Sequence, residues 1–245
     1  MMIPLIVLGV AMVMMTVEAS RPGRLWPKVA DWWWRVALLN AAQAGVVWFA
    51  GRTWQRWLMK RQPWSAEWMG AAVGALFGYF VITFVYYWWH RWRHEVPFLW
   101  RWMHQLHHSP QRLEVLASFY KHPFELLANG LISSVILFLI GLGPEAAAGT
   151  VLISGVAELF YHWNVKTPYW LGFIVQRPES HCVHHQEGIH SWNYSDLPVW
   201  DMLFGTFRNP REWKANCGFG EDEHRLLAML CGIDVTKPET TGVKI

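Results

Sequence analysis

Histidine is the residue type whose spacing in this 245-residue chain most clearly suggests chemistry. Of the twelve histidines, nine lie in three short motifs or at one isolated position: HRWRH (90–94), HQLHH (104–108), HCVHH (181–185) and His162. Spacings of three and four residues place the imidazoles of one motif on one face of a helix. Imidazole binds iron, zinc, copper and nickel, and nine such groups exceed the four ligands of a structural zinc ion. The pattern indicates two neighbouring metal ions with open positions for a small molecule.

The remaining histidines and the cysteines do not extend this pattern. His190 and His224 stand alone and are interpreted as ordinary surface or core residues. Cys182, Cys217 and Cys231 form no CxxC pair and no even framework. The sequence therefore predicts neither a disulfide nor a zinc ribbon.

The elements that position these histidines are indicated by the composition. Hydrophobic residues make up 53% of the chain and charged residues 16%, whereas a soluble domain usually carries about 25% charged residues. Nineteen tryptophans add to seven tyrosines and thirteen phenylalanines. This composition excludes a disordered chain, a disulfide scaffold and an ordinary cytosolic enzyme, and it fits a multi-span membrane protein with aromatic belts. The net charge of +3 is too small and too scattered to indicate nucleic-acid binding.

Five apolar segments approach the roughly 17–25 residues that a membrane-spanning helix needs. They are residues 1–17, 36–50, 68–89, 126–143 and 146–160. The first is interpreted as an anchor, because it lacks the basic start of a signal peptide. The second is short and either spans or lies partly in the interface. The chain is therefore predicted to be all-α, with four or five spans and a helical cap that carries the histidine-rich dimetal site.

Glycines recur every four residues in the third segment, at Gly70, Gly74 and Gly78. Such a stripe lets a neighbouring helix approach closely, and packing within the chain is favoured over dimerisation.

The distribution of basic residues predicts the orientation. If all five segments span, the loops at 18–35 and 90–125 and the tail lie on one side of the membrane, and the loop at 52–67 lies on the other. The first two loops together hold nine lysines and arginines, against four in the loop at 52–67. Because cytoplasmic loops carry the excess of basic residues, the histidine-bearing loops are predicted to face the cytoplasm.

Two alternative functions would use histidines differently. A haem-binding electron carrier needs about two histidines per haem, placed within its spans. A metal transporter would carry histidines or carboxylates along its spans, and the central apolar segments here carry none.

The three histidine motifs resemble those of the fatty acid hydroxylase/sterol desaturase superfamily, whose members are integral membrane non-haem diiron oxygenases. The segments KHPFE (121–125), YHWN (161–164) and NYSDLPVWDMLFGTF (193–207) are similar to further segments of the same superfamily. The resemblance covers roughly residues 80 to 210 and does not specify a substrate. It implies membrane anchor segments over 1–67, a fatty acid hydroxylase-like catalytic domain over 68–210 and a C-terminal tail over 211–245.

The resemblance also implies the metal and its ligands. Two iron ions would be held by His90, His94, His104, His107, His108, His162, His181, His184 and His185. His122, in the KHPFE segment, is either a further ligand or a near neighbour.

Four polar residues are candidates to orient the ligand imidazoles. Glu158 lies four residues before His162, on the same helical face. Asn193, Asp196 and Asp201 follow the last histidine motif and could accept imidazole N–H groups. Alternatively, Glu158 is a simple interfacial carboxylate, and Asn193 and Asp196 are ordinary turn residues.

The activity implied by the resemblance is hydroxylation of a C–H bond of an acyl chain, a sterol or a polar lipid, using O2 and two electrons. Desaturation with the same diiron site is the alternative. The chain has no GxGxxG fingerprint and no iron–sulfur cysteine set, so a separate ferredoxin, cytochrome or reductase is expected to supply the electrons. The short chain without a cytochrome b5-like segment favours a bacterial inner membrane over the endoplasmic reticulum.

Overall fold

The computed structural model describes residues 2–237, without the side chains of residues 2, 3 and 59. Met1, the first residue of the predicted anchor, and residues 238–245 of the predicted tail lie outside the described residues. The described part of the chain is helical and holds no strand, which confirms the predicted all-α class. Cys182, Cys217 and Cys231 are free thiols.

The helices of residues 2–237 vary from long apolar rods to single turns. They are α1 (Met2–Ser20), α2 (Trp32–Arg52), α3 (Trp54–Met59), α4 (Gly70–Glu95), α5 (Pro97–Leu99), α6 (Gln105–His108), α7 (Pro123–Ile140), α8 (Pro144–His162), α9 (Pro178–His184), α10 (Pro198–Leu203) and α11 (Leu226–Leu230). Single 3-10 turns lie at Glu67–Met69, Val115–Ala117, Tyr169–Phe173 and Gly220–His224.

Two helical stretches are long and apolar enough to cross a membrane by length and composition. They are Glu67–Glu95 and Pro123–Ile140. Of an 18-residue apolar stretch in each, only 33% and 28% are buried inside the protein. A core helix of a soluble protein would be mostly covered, so these helices direct much of their apolar surface outward. Of the other predicted spans, α1 contains a shorter apolar stretch, Pro4–Ser20. Helices α2 and α8 form over the segments predicted at 36–50 and 146–160 and are long enough, but they are not apolar enough to count among the candidate spans.

Helix α4 packs closely along α8 through small residues. A Cβ added at Gly74 would lie 2.8 Å from the Cβ of Ala146, and one at Gly78 would overlap the hydroxyl of Thr150. The predicted close approach within the chain is thus confirmed for two of the three glycines. Gly70 instead begins α4 with a φ of +67° and would bring an added Cβ near no other atom.

Replacing Gly78 with Ala is expected to lower the midpoint of thermal unfolding in detergent. The new methyl group would overlap Thr150 and lie 2.7 Å from Leu142 Cδ1, and overpacking of this kind costs about 1–3 kcal/mol. Gly45→Ala is the matched control, because nothing lies within 4 Å of an added Cβ in that turn of α2. Equal midpoints for the two variants would contradict the close α4–α8 contact.

One hydrophobic cluster joins the two ends of the chain to the histidine-bearing middle. Trp32 from α2, Leu106 from α6 and Met229 from α11 pack together in it, all fully buried. Beside it, Arg35 pairs with Glu223 in full burial. Arg35 counts among the basic loop residues in the predicted orientation, but the structure places it inside α2 and away from solvent. The segments outside the predicted 68–210 unit therefore help to support the histidine-bearing region.

Candidate metal centre

The first histidine motif lies at the end of α4, and the second lies on the helical segment that follows the turn after α4. Helix α4 continues beyond its apolar part to Glu95, so that His90 and His94 stand one turn apart near its end. The chain turns at Pro97 and is helical again up to His108, with a wider π-helical turn over Trp100–His104. Such turns are rare and occur frequently at functional sites. Here the turn carries His104 at its end, directly before the α6 turn that holds the next two histidines.

The other histidines lie on α8 and α9. His162 is the last residue of α8, where the helix leaves its apolar part. Pro178 occupies the first position of α9, where a missing N–H costs nothing. This short helix carries His181 and His184 on neighbouring turns, and His185 caps its C-terminus.

The structure brings all nine predicted histidines together in two adjoining groups, within each of which the ligand atoms lie within 4.8 Å of one another. The five-histidine group consists of His90, His94, His104, His108 and His184. The four-histidine group consists of His107, His162, His181 and His185. Seven of the imidazoles are buried, and those of His90 and His94 are half-buried. The rings of His108 and His185 stack across the boundary with centroids 4.1 Å apart.

Main-chain carbonyls fix the orientation of several rings. The Nδ1 atoms of His90, His107 and His162 lie 2.8, 3.2 and 2.9 Å from the carbonyl oxygens of Tyr194, Tyr120 and Glu158. The Nδ1 of His184 lies 2.6 Å from the carbonyl of Trp192. A carbonyl oxygen can only accept, so each of these Nδ1 atoms carries the proton and the lone pair is left on Nε2.

The nitrogens that face into the two groups suit metal ions. The Nε2 atoms of His162 and His185 each lie 3.1 Å from that of His181, and those of His104 and His108 are 3.2 Å apart. Metal–imidazole bonds of about 2.0–2.1 Å place two ligand nitrogens at about this separation. Three further nitrogens are buried without any partner among residues 2–237, and all three are Nε2 atoms of the five-histidine group, on His90, His94 and His184. Because an unpaired buried polar atom costs about 1–3 kcal/mol, this donor set fits cations and makes little sense without them.

Burial keeps the imidazoles in the form that binds metals. It lowers the pKa of His184 to about 3. It also lowers the pKa well below the ordinary value for His104, His107, His108, His181 and His185, with neighbouring imidazoles adding to the effect. Neutral imidazole is the ligand form, so the groups outside the apolar helices do not need to lose protons to bind a metal at neutral pH.

Glu158 reaches His162 through its main chain only. Its carbonyl oxygen accepts from His162, while its carboxylate accepts from the ammonium of Lys121. The spacing of four residues correctly placed Glu158 on the same face of α8 as His162. Its carboxylate pairs with Lys121, however, and not with the imidazole.

Asn193 and Asp201 organise the loop that follows the last motif. Asp201, buried at the start of α10, accepts from the backbone N–H groups of Tyr194 and Ser195 at 2.7 and 3.0 Å. Since the carbonyl of Tyr194 accepts from His90, Asp201 is connected to the five-histidine group through one peptide unit. The amide of Asn193 donates to the carbonyls of Ser180 and Arg208, both at 2.8 Å, which ties the loop to α9.

Asp196 has tyrosine hydroxyls as side-chain partners, and no hydrogen bond from it to an imidazole is found among the described residues. Its carboxylate lies 3.5 Å from the hydroxyl of Tyr79 on α4. Burial raises the pKa of Asp196 to about 7. The structure thus places it against the apolar helices rather than against a ligand ring.

Two neighbours of the centre are not selected by the sequence pattern. Glu125 lies with its two carboxylate oxygens 3.2 and 3.3 Å from His104 Nδ1, and the only signal for it is its place in the KHPFE segment. His190, interpreted as an ordinary residue, instead lies with its Nδ1 3.2 Å from that of His108. Its φ of +44° is unusual for a non-glycine residue, and no spacing in the sequence indicates it.

Comparisons with known proteins agree with this geometry. The sequence profile of the family described as fatty acid hydroxylase matches residues 75–206, which include all nine histidines. The chain belongs to this family. Within the family its sequence is similar to curated lipid-modifying enzymes, and no solved structure matches it.

Three relatives illustrate the similarity. Human alkylglycerol monooxygenase is 27% identical over 65% of this chain and 35% of its own length. The sphingolipid C4-hydroxylase of Schizosaccharomyces pombe is 29% identical over 55% of this chain and 48% of its own. The ornithine lipid hydroxylase of Rhizobium tropici is 30% identical over 60% of this chain and 45% of its own. The chain thus spans between a third and a half of the length of these relatives.

In this member of the fatty acid hydroxylase family, His122 belongs to neither histidine group. Its Nδ1 accepts from the backbone N–H of Phe124 and so caps α7, and its Nε2 lies 3.3 Å from the carbonyl of Leu230. His122→Asn is therefore expected to keep the full metal content, because Asn also accepts at an N-cap. His122→Ala should keep the metal as well but lose about 0.5–2 kcal/mol of stability. Elemental analysis of the purified variants tests this, and a metal loss in His122→Asn would contradict it.

A cavity of about 280 Å³ lies beside the five-histidine group. Its inner wall includes His94, Trp100 and His190, and its outer wall includes Asp234 and Lys237. Lys237, the last residue that the structure describes, pairs with Asp234 at 3.4 Å.

Proposed function

We propose that this chain is a membrane-bound, O2-dependent, non-haem diiron oxygenase that hydroxylates a C–H bond of a lipid. The observation that carries the proposal is the convergence of nine histidines into two adjoining groups, within each of which the ligand nitrogens lie within 4.8 Å of one another. Lipid as the substrate class is supported by the names of three relatives, which act on alkylglycerol, a sphingolipid and an ornithine lipid. The substrate would be an acyl chain, a sterol or a polar lipid.

Two iron ions would be held by the five-histidine and four-histidine groups, with the histidines as ligands. When bound, the iron ions supply the activation of dioxygen that oxidation of an unactivated C–H bond requires. The chain itself provides the ligand nitrogens, the carbonyls that orient them and the burial that excludes water. The two electrons for each turnover would come from a separate ferredoxin, cytochrome or reductase.

The membrane arrangement is part of the proposal. We place α1, α2, α4, α7 and α8 in the bilayer as four or five spans, with α2 either crossing fully or lying partly in the interface. Exposed apolar side chains on α4 and α7, such as Leu76 and Leu139, support contact with lipid. The histidines would face the cytoplasm of a bacterial inner membrane, with the endoplasmic reticulum as the alternative. Residues 1–67 would serve as anchor segments, 68–210 as the catalytic unit and 211–245 as the tail.

Comparative lipid mass spectrometry tests the activity. Cells that express the chain are compared with cells that express the His184→Ala variant. A lipid that gains the mass of one oxygen atom in the first cells alone supports hydroxylation. A lipid that instead loses the mass of two hydrogens identifies a desaturase, and an unchanged lipid profile contradicts both.

Metal analysis of the purified protein tests the centre independently. About two iron ions per chain are expected after expression in iron-replete medium, in line with the two histidine groups. A strong Soret band would instead identify a haem-binding electron carrier. Zinc at about one ion per chain, with no iron, would contradict the diiron proposal.

A further inference from the structure

A buried group of three charged or polar side chains lies behind the five-histidine group. Glu125, in the first turn of α7, is fully buried. Its carboxylate accepts from the guanidinium of Arg93 on α4 and lies within hydrogen-bond distance of His104 Nδ1. Three separate elements therefore meet at one carboxylate.

His104 differs from the other eight histidines of the two groups in this partner. Among the described residues, its ring is the one in these groups that pairs with a carboxylate, whereas His90, His107, His162 and His184 pair with main-chain carbonyls. A carboxylate accepts a stronger, charge-assisted hydrogen bond and makes the imidazole a better electron donor to a metal.

Arg93 competes with Glu125 as a hydrogen-bond partner of His104. Its Nη1 lies 3.2 Å from His104 Nδ1, and a guanidinium can only donate. If Arg93 donated to Nδ1, the imidazole proton would have to sit on Nε2, the nitrogen that lies 3.2 Å from His108 Nε2 inside the group. His104 would then be unable to bind a metal through that nitrogen. Glu125 prevents this because it accepts from both Arg93 and His104.

We infer that Glu125 is a positioning residue that holds the proton of His104 on Nδ1 against the competing donor Arg93, and so keeps Nε2 free for a metal ion. This inference rests on the proposed metal centre. Glu125 itself touches no metal position and acts through His104.

The test is a Co2+ titration of metal-free protein in detergent, read by the visible absorption bands of the bound ion. Glu125→Gln is expected to weaken binding at the five-histidine group by about 10–100-fold. The neutral amide accepts more weakly than the carboxylate, and while its oxygen accepts from Arg93, its NH2 group faces His104 Nδ1 as a further donor. Binding at the four-histidine group should stay unchanged. Glu145→Gln is the matched control, since Glu145 also lies in the first turn of a helix but is exposed.

The double variant Glu125→Gln, Arg93→Met separates this role from a structural one. With the competing donor removed, the amide oxygen introduced by Glu125→Gln is free to accept from His104, so the double variant should recover most of the lost affinity. A merely structural role would leave the double variant as weak as Glu125→Gln, or weaker. The double variant also buries no unpaired charge, so it remains informative if Glu125→Gln does not fold.

The outcomes are distinguishable from a failure of the proposed function. If the unaltered protein does not bind two ions, the proposed metal centre is contradicted. If it binds two ions and Glu125→Gln binds them equally well, the role of Glu125 is overturned. A double variant that stays weak while the unaltered protein binds two ions also overturns it.

Discussion

Replacing His184 with Ala is expected to abolish lipid oxidation and to empty the five-histidine group of metal. The ring of His184 is fully buried, its Nδ1 is fixed by the carbonyl of Trp192, and its Nε2 has no partner among the described residues. Its centroid lies 4.5, 4.8 and 4.6 Å from those of His90, His94 and His108. Loss of a residue that merely supports a ligand already costs about 10–100-fold in metal affinity or activity, and loss of a ligand should cost more. Product formation and iron per chain are the two measurements.

His107→Ala examines the four-histidine group in the same way, and His224→Ala is the control for both. His224 lies at the far end of the C-terminal 3-10 turn, partly exposed, with its Nδ1 3.0 Å from the carboxylate of Asp31. Activity and iron content should be unchanged in this variant. Full activity in His184→Ala or His107→Ala would remove that residue from the ligand set. Lost activity in His224→Ala would show that the boundary of the site is drawn in the wrong place.

Replacing Glu223 with Ala is expected to give the largest loss of stability. Its carboxylate accepts from the buried Arg35 guanidinium and, at 2.8 Å, from the backbone N–H of Gln111. The substitution removes the buried carboxylate partner of a buried cation, and breaking such a pair costs about 3–5 kcal/mol. Asp31, 3.0 Å from Arg35, is partly exposed and can replace only some of the lost interaction. The thermal midpoint in detergent should fall strongly.

Glu212→Ala is the matched control for Glu223→Ala. Glu212 also pairs with a basic residue, Lys214, but both side chains are more than 70% exposed. Solvent screens a pair this exposed, so its contribution is small and the midpoint should barely change. The double variant Arg35→Ala, Glu223→Ala should lose less than the sum of the single losses, because the two residues share one interaction. Equal midpoints for the Glu223 and Glu212 variants would contradict the buried pair.

The convergence of the nine histidines could be predicted because helical spacing converts directly into geometry. Spacings of three and four residues put the imidazoles of each motif on one side of a turn, and all nine converge. Their division between the two groups could not be predicted. His107 and His108 join different groups, which depends on how α6 is set against α4 and α9 after the π-helical turn at Trp100–His104. Nothing in the local sequence encodes that arrangement.

The partners of the ligand rings were harder to predict, because they come from distant parts of the chain. The side chain of Glu158 lies on the expected face, yet Lys121 takes it. Glu125 reaches His104 from another helix. The apolar character of α4 and α7 followed from composition, whereas the support of the centre by Arg35 and Glu223 joins residues at opposite ends of the chain.

Each histidine group receives one ring from each of two pairs of consecutive residues, His107 with His108 and His184 with His185. The distance between the two ion positions is therefore limited by the covalent geometry of single peptide units in α6 and at the end of α9. A rotation of either short helix displaces a donor from both positions at once. A substitution that turns either short helix should therefore weaken both positions, whereas loss of a single ligand ring should weaken only the position to which that ring belongs.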